Sequence, residues 1–307
     1  MSPNDRPRAI CFGKLPIAGD FVRGHASAPE LATLDEWIEQ GMHRSRTTFG
    51  GAWQARFDAL PPVRFLFHAV PNGPVLAGWW KASRDAAGRR YPFLIAVRLP
   101  GIKPADEPLL PVALAGFFAA ARRLLDGSWQ GLDVPDVIAA VQDLEFDIDL
   151  ARARAEHAAA CGTESTASTW AGGSDAPELL FQDLEDLAVA AVSPRFAVRW
   201  PTRGEPVDVS YWLAVLAHFG APPPCLLLWH SAADLAPGIA RAVLGRLEPR
   251  LFTGMVFFDH DDDDAYDLGR DHGDDHRLPD ARRRFGDVVA HGTQARSLAA
   301  LRNGVRR

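Results

Sequence analysis

Twelve residues near the N-terminus, Phe12 to Arg23 (FGKLPIAGDFVR), gather side chains able to do chemistry. Lys14, Asp20 and Arg23 bring two cations and a carboxylate, and Phe21 an aromatic face. Gly13 and Gly19 permit backbone angles that a Cβ disfavours, while Pro16 fixes φ and removes a donor. A lysine after a glycine raises the question of phosphate binding. A phosphate loop, however, ends in Gly-Lys-Ser/Thr and runs into a helix, so that backbone N–H groups and the lysine converge on one anion. Here Leu15 and Pro16 follow Lys14, and no nucleotide site results. By local pattern the stretch reads as an apolar strand from Ala9 to Phe12, a tight turn and a second short strand, with the charges toward solvent.

Two further groups invite the same scrutiny. Asp35, Trp37 and Ser45 fall on a predicted helix over 27–48, where Leu31, Leu34, Ile38 and Met42 recur at helical spacing. Ser27 and Glu30 have capping-box spacing. Trp37 flanks the apolar stripe and reads as a core anchor; a buried Asp35 or Ser45 needs a hydrogen-bond partner, which Lys14 or Arg23 would supply for Asp35. The other group is Ser83, Asp85, Gly88, Arg89, Arg90, Tyr91, Pro92 and Phe93. It is either a plain polar turn or a loop whose Arg89 or Arg90 reaches back to Asp20 or Asp35, a pairing that bidentate arginine–carboxylate geometry favours.

Together these segments resemble the TagF/ImpM family, accessory proteins of bacterial type VI secretion. The likeness rests on FGKLP followed by GDFVR, on Asp35, Trp37 and Ser45 in order, and on the Ser-x-Asp-x-x-Gly-Arg-x-aromatic-Pro segment from Ser83. It covers residues 9–100 well and 195–258 more faintly. The resemblance implies a non-enzymatic, post-translational repressor of type VI secretion that binds the forkhead-associated-domain scaffold protein of the system, with a phosphatase of the threonine-phosphorylation pathway as a second partner. It points to Lys14, Asp20, Phe21, Arg23, Asp35, Trp37, Ser45, Asp85, Arg89 and Arg90 as a charged and aromatic cluster, either partner-binding surface or scaffold.

Catalytic readings are thin. The run from Asp259 to His276 holds nine Asp, one Arg and three His, so a metal-dependent phosphoesterase is conceivable, but counting from Asp259 puts Asp264 and Arg270 where a calcium loop needs Gly and Glu. A solvated acidic segment is the expected reading. The chain has no Gly-x-Ser-x-Gly elbow, no His-Glu-x-x-His and no paired-cysteine zinc pattern. Cys11 lies in an apolar strand with no base nearby in sequence, which predicts a buried, inert thiol. No catalytic residue, metal ligand or cofactor is assigned. A structural accessory subunit of the secretion apparatus is the third class of function.

The elements that must position these residues emerge from composition and patterning. With 307 residues, 47% hydrophobic and 23% charged, the chain can bury a large core. The net charge of −6 gives no reason to bind nucleic acid or anionic lipid. Three unpaired cysteines, no apolar leader at the N-terminus and no spanning segment predict a reducing, cytoplasmic setting. Strand-like runs at 63–69, 75–83 and 91–99, joined by short turn-rich gaps, must pair antiparallel as a meander. Helices are expected at 53–60, 111–125, 135–160, 207–219 and 237–247, and strands at 195–200, 225–229 and 251–258. The expected fold is a three-layer α-β-α sandwich on a mixed, largely antiparallel sheet. Its organisation reads as an N-terminal half (1–130), a helix and Ser/Gly/Ala-rich linker (131–178), a second α/β half (179–258), and an acidic then basic tail (259–307).

Overall fold

The computed structural model describes residues 7–161, 195–218, 223–231, 233–235, 238–258 and 265–268, with 279 and 283 singly. Apart from position 161 the predicted linker lies outside them, as does most of the charged tail.

The sheet is built from the apolar runs. β1 (Ala9–Gly13), β2 (Val22–Gly24), β3 (Val63–His68), β4 (Val75–Lys81), β5 (Phe93–Leu99), β6 (Arg195–Pro201), β7 (Leu226–Trp229), β8 (Ile239–Gly245) and β9 (Ala265–Asp267) form one sheet in the order β2-β1-β5-β4-β3-β7-β8-β6-β9. Each pair is antiparallel except β6 with β9. The meander β3-β4-β5 forms as expected, and β3 pairs with β7, so the sheet runs without a break from the N-terminal to the C-terminal strands.

Both faces are covered, which is why the central strands are continuously apolar instead of alternating. In β5, Phe93, Ile95 and Val97 point to one core and Leu94 and Ala96 to the other. The first core is closed by α4 (Ala115–Asp126), α5 (Val134–Gln142) and α7 (Pro206–His218); the second by α1 (Pro29–Phe49), α2 (Trp53–Asp58) and α8 (Phe252–Val256). The short α3 (Leu110–Ala113) and α6 (Leu150–Cys161) pack beside α7. This is the three-layer sandwich with a mixed, largely antiparallel sheet. No single helix among the described residues is long and apolar enough to cross a membrane.

Several local expectations are corrected. The capping box at Ser27 does not form: α1 starts at Pro29 with Ala28 at its N-cap, and Glu30 is buried and accepts two bonds from Arg98 at 3.0 Å. The helix over 111–125 bends by 54° at Leu114, between α3 and α4. Residues 135–160 form two helices, not one. Within 237–247 the chain forms strand β8 (Ile239–Gly245), not a helix, and 251–258 contain the end of a helical turn and α8 in place of a strand. Both errors have one cause. Segments buried on every side lose the periodicity that tells helix from strand, so tertiary packing decides. β8 is held by pairing to β6 and β7 on either side. Phe252 of α8 fills a notch in α1, where a Cβ on Gly41 would lie 2.1 Å from its ring. Within the predicted solvated tail, Ala265–Asp267 adds β9 to the sheet edge, and Asp267 pairs with Arg199 at 2.6 Å.

Candidate functional site

The opening loop is shaped by one close approach. Gly13 ends β1 at φ +127°, and a Cβ there would sit 2.0 Å from the Pro92 carbonyl oxygen. The absence of a side chain brings the Gly13–Leu15 backbone against the segment before β5. β2 then returns antiparallel, placing Arg23 opposite Phe12.

Asp85 is the hub of the charged cluster. Its side chain is fully enclosed, and it accepts hydrogen bonds from the backbone N–H groups of Ala87 (3.0 Å) and Arg89 (2.8 Å). The Arg89 Nε donates at 2.6 Å, and Lys14 Nζ lies 3.0 Å away. Burial opposes its ionisation, yet the Arg89 backbone bond and the Lys14 and Arg89 side chains outweigh it and hold the carboxyl at about 2. Arg89 also donates to the Gly19 carbonyl at 2.6 Å. The loop from Ser83 is thereby riveted to the FGKLP turn. Lys14 is buried, against the expectation that the charges face water.

Aromatic rings carry the contact onward. Phe12, Phe21 and Tyr91 form a cluster with centroids 5.3, 6.1 and 4.8 Å apart. Arg23 lies over Phe12 at 4.7 Å and over Phe21 at 5.4 Å, and Lys14 over Phe21 at 5.1 Å. The Tyr91 hydroxyl donates to the Asp35 carboxylate; burial first, and this bond second, push its pKa far up. The partner of Asp35 is thus Tyr91, not Lys14 or Arg23.

The remaining expected residues scatter. Arg90 pairs with Asp58 of α2 through Nε at 2.8 Å and Nη2 at 2.6 Å. The expected reach of Arg89 or Arg90 to Asp20 or Asp35 therefore goes elsewhere: to Asp85 and Gly19 for one, to Asp58 for the other. Trp37 is buried, stacks on Trp80 and donates from Nε1 to the Glu248 carbonyl at 2.9 Å, tying α1 to the C-terminal strands' side of the molecule. Ser45 bonds back to the Gly41 carbonyl at 2.7 Å inside α1 and joins nothing in the cluster. Asp20 is exposed, its carboxylate capping the Phe21 N–H at 2.8 Å. Asp20 and Arg23 form no ion pair among the described residues, which leaves them, with part of Phe21, as the outward side of the loop.

Tyr91 is the residue that sequence reasoning placed in the motif yet left out of the charged cluster. The signal was present, since a tyrosine before Pro92 at a strand start has an apolar body and one donor to satisfy. The buried pair His68–Glu107, Nε2 to Oε2 3.5 Å, gave no signal, because its partners lie 39 residues apart in unrelated patterns. Among the described residues no group of three or more His, Cys, Asp or Glu converges as metal ligands would.

The fold and this cross-linked loop define an α-β-α sandwich with a charged and aromatic clamp at one end of its sheet. Residues 10–144, which hold every residue of the clamp, match the model of the TagF N-terminal domain, type VI secretion system-associated. The match covers 135 of the 307 residues, and over that part the chain is similar to the TagF family. Among solved structures, PA0076 from Pseudomonas aeruginosa PAO1 is similar at 28% identity and a TM-score of 0.39, over 45% of this chain and 63% of that one. The chain thus spans less than two thirds of that protein's length. A comparison with curated proteins found no match.

Proposed function

We propose that this chain is a non-enzymatic repressor of type VI secretion, acting after translation by binding the forkhead-associated-domain scaffold protein of the system in the cytoplasm. The observation that carries the reading is the TagF N-terminal match over residues 10–144. The clamp supports a binding role. Lys14, Asp85, Arg89, Asp35 and Tyr91 are consumed in holding the loop rigid, and a rigid loop presents Asp20, Phe21 and Arg23 without an ordering cost at the moment of binding. Sequestration of a partner shifts its population and needs no bond made or broken. A phosphatase of the threonine-phosphorylation pathway is a second partner on the same reading.

The experiment is a pull-down of the purified chain against the forkhead-associated protein of the same organism, beside an Asp20→Ala/Arg23→Ala double variant checked by circular dichroism. Binding by the wild type and its loss in the folded variant are expected. Absence of wild-type binding would refute the partner assignment. In cells, deletion of the gene raises secretion if the protein represses it and abolishes secretion if it is a structural accessory subunit. Replacing Asp261 and Asp263 by Asn keeps repression, whereas a phosphoesterase built on the Asp/His run would lose its activity.

A further inference from the structure

Gly13, Phe93, Lys81 and Val63 mark the end of the sheet that carries the clamp; β3 finishes at the opposite end with His68. There a groove of about 720 Å3 opens between α1, the turn after β3 and the loop after β8. Leu247, Pro249 and Pro71 line it with apolar surface above the buried rings of Trp37 and Phe67. Beside that proline, Val70 is 58% exposed, the most exposed large hydrophobic side chain among the described residues. Its turn is held in shape: the Gly73 N–H donates to the Val70 carbonyl at 3.0 Å, and Asn72 adopts φ +57°, a conformation asparagine tolerates better than most residues. An apolar knob and an apolar hole thus adjoin on one surface.

The charges on the groove are arranged the same way. Glu36 enters from α1 and Arg246 from the loop after β8. The Glu36 carboxylate accepts an N–H from Gln40 at 3.0 Å, but neither Glu36 nor Arg246 forms an ion pair among the described residues. An apolar knob, an apolar groove and exposed charges of both signs on one face are the elements that a two-fold rotation can bring together, as in an isologous dimer.

We propose that this face is the interface of a homodimer. The Val70–Pro71 turn of one copy seats in the groove of the other against Leu247 and Pro249, and Glu36 of each copy meets Arg246 of its mate. A second copy suits the groove better than a foreign segment because this chain already supplies both halves of the apolar fit and both charges in one place. The interface leaves Asp20, Phe21 and Arg23 free at the other end of the sheet, so it stands independently of the partner reading above.

Light scattering behind size exclusion, with sedimentation equilibrium for the dissociation constant, tests this on the full chain. The wild type is expected at twice the 33.5 kDa chain mass. Val70→Asp, at an exposed position, is expected to run as a folded monomer by circular dichroism. Glu36→Arg alone and Arg246→Glu alone each set like charges together and are expected to weaken association by at least about tenfold. The double exchange Glu36→Arg/Arg246→Glu restores opposite signs and is expected to recover most of that loss. A monomeric wild type at its highest soluble concentration overturns the proposal. So does a Val70→Asp variant that still dimerises, or a double exchange no better than the single ones.

Discussion

Replacing Glu107 by glutamine changes one proton and almost no volume, which isolates the energetic effect of burying this carboxyl. Glu107 and His68 face each other at 3.5 Å among Leu66, Pro104, Leu110, Leu213 and Leu216, around a cavity of about 30 Å3. Burial pushes the Glu107 carboxyl from 4.5 up to about 7 and the His68 imidazole below its usual value. Between those carboxyl values the folded chain holds a proton that the unfolded chain has released, so Glu107 makes stability fall as pH rises from 4.5 to about 7. The displacement corresponds to about 3 kcal/mol at one pKa unit per 1.4 kcal/mol. Glutamine cannot ionise and escapes that loss. Urea denaturation at pH 5, 6, 7 and 8 should give wild type and Glu107→Gln nearly equal midpoints at pH 5, with the variant ahead by about 2–3 kcal/mol at pH 8. His68, whose imidazole burial holds below its usual value, opposes the trend in both proteins. Parallel profiles across the range would refute the reasoning, since they would mean that the folded state does not retain the Glu107 proton.

Other consequences are more local. Gly13→Ala places a Cβ 2.0 Å from the Pro92 oxygen at a φ of +127°, and should lower stability by about 2 kcal/mol or more, read from the urea midpoint. Asp85 is held at about 2 against its usual 3.8, so its contribution is present above pH 3.8 and disappears as pH falls toward 2. Asp85→Asn should flatten that part of the acid unfolding curve followed by tryptophan fluorescence, and an unchanged curve would discount the Lys14–Asp85–Arg89 clamp. Burial pushes Cys11 from 9.0 up to about 11 and Cys225 up to about 12. At pH 8 native Cys11 should react with a disulfide reagent at least about 100-fold more slowly than in urea, because the thiolate is the attacking species; mass spectrometry of labelled peptides would expose a fast native reaction.

Much of this protein is written in local chemistry. The meander at 63–99 comes from apolar runs and turn formers with gaps too short for a crossover, and α1 from the helical spacing of Leu31, Leu34, Ile38 and Met42. The TagF likeness could be read because its motif residues all fall in one stretch of chain, within residues 10–144. What the sequence left open was which charge meets which. Asp35, Asp58, Asp85, Lys14, Arg89 and Arg90 permit several pairings by charge alone. Selection among them comes from sheet register, which sets the loop before β5 against β1, and from the angle of α1, which sets Asp35 over Tyr91. The β8 strand and the α8 helix were likewise decided by their neighbours. A segment buried on all sides carries no periodicity of its own, so β6, β7 and α1 determine its form through hydrogen bonding and packing.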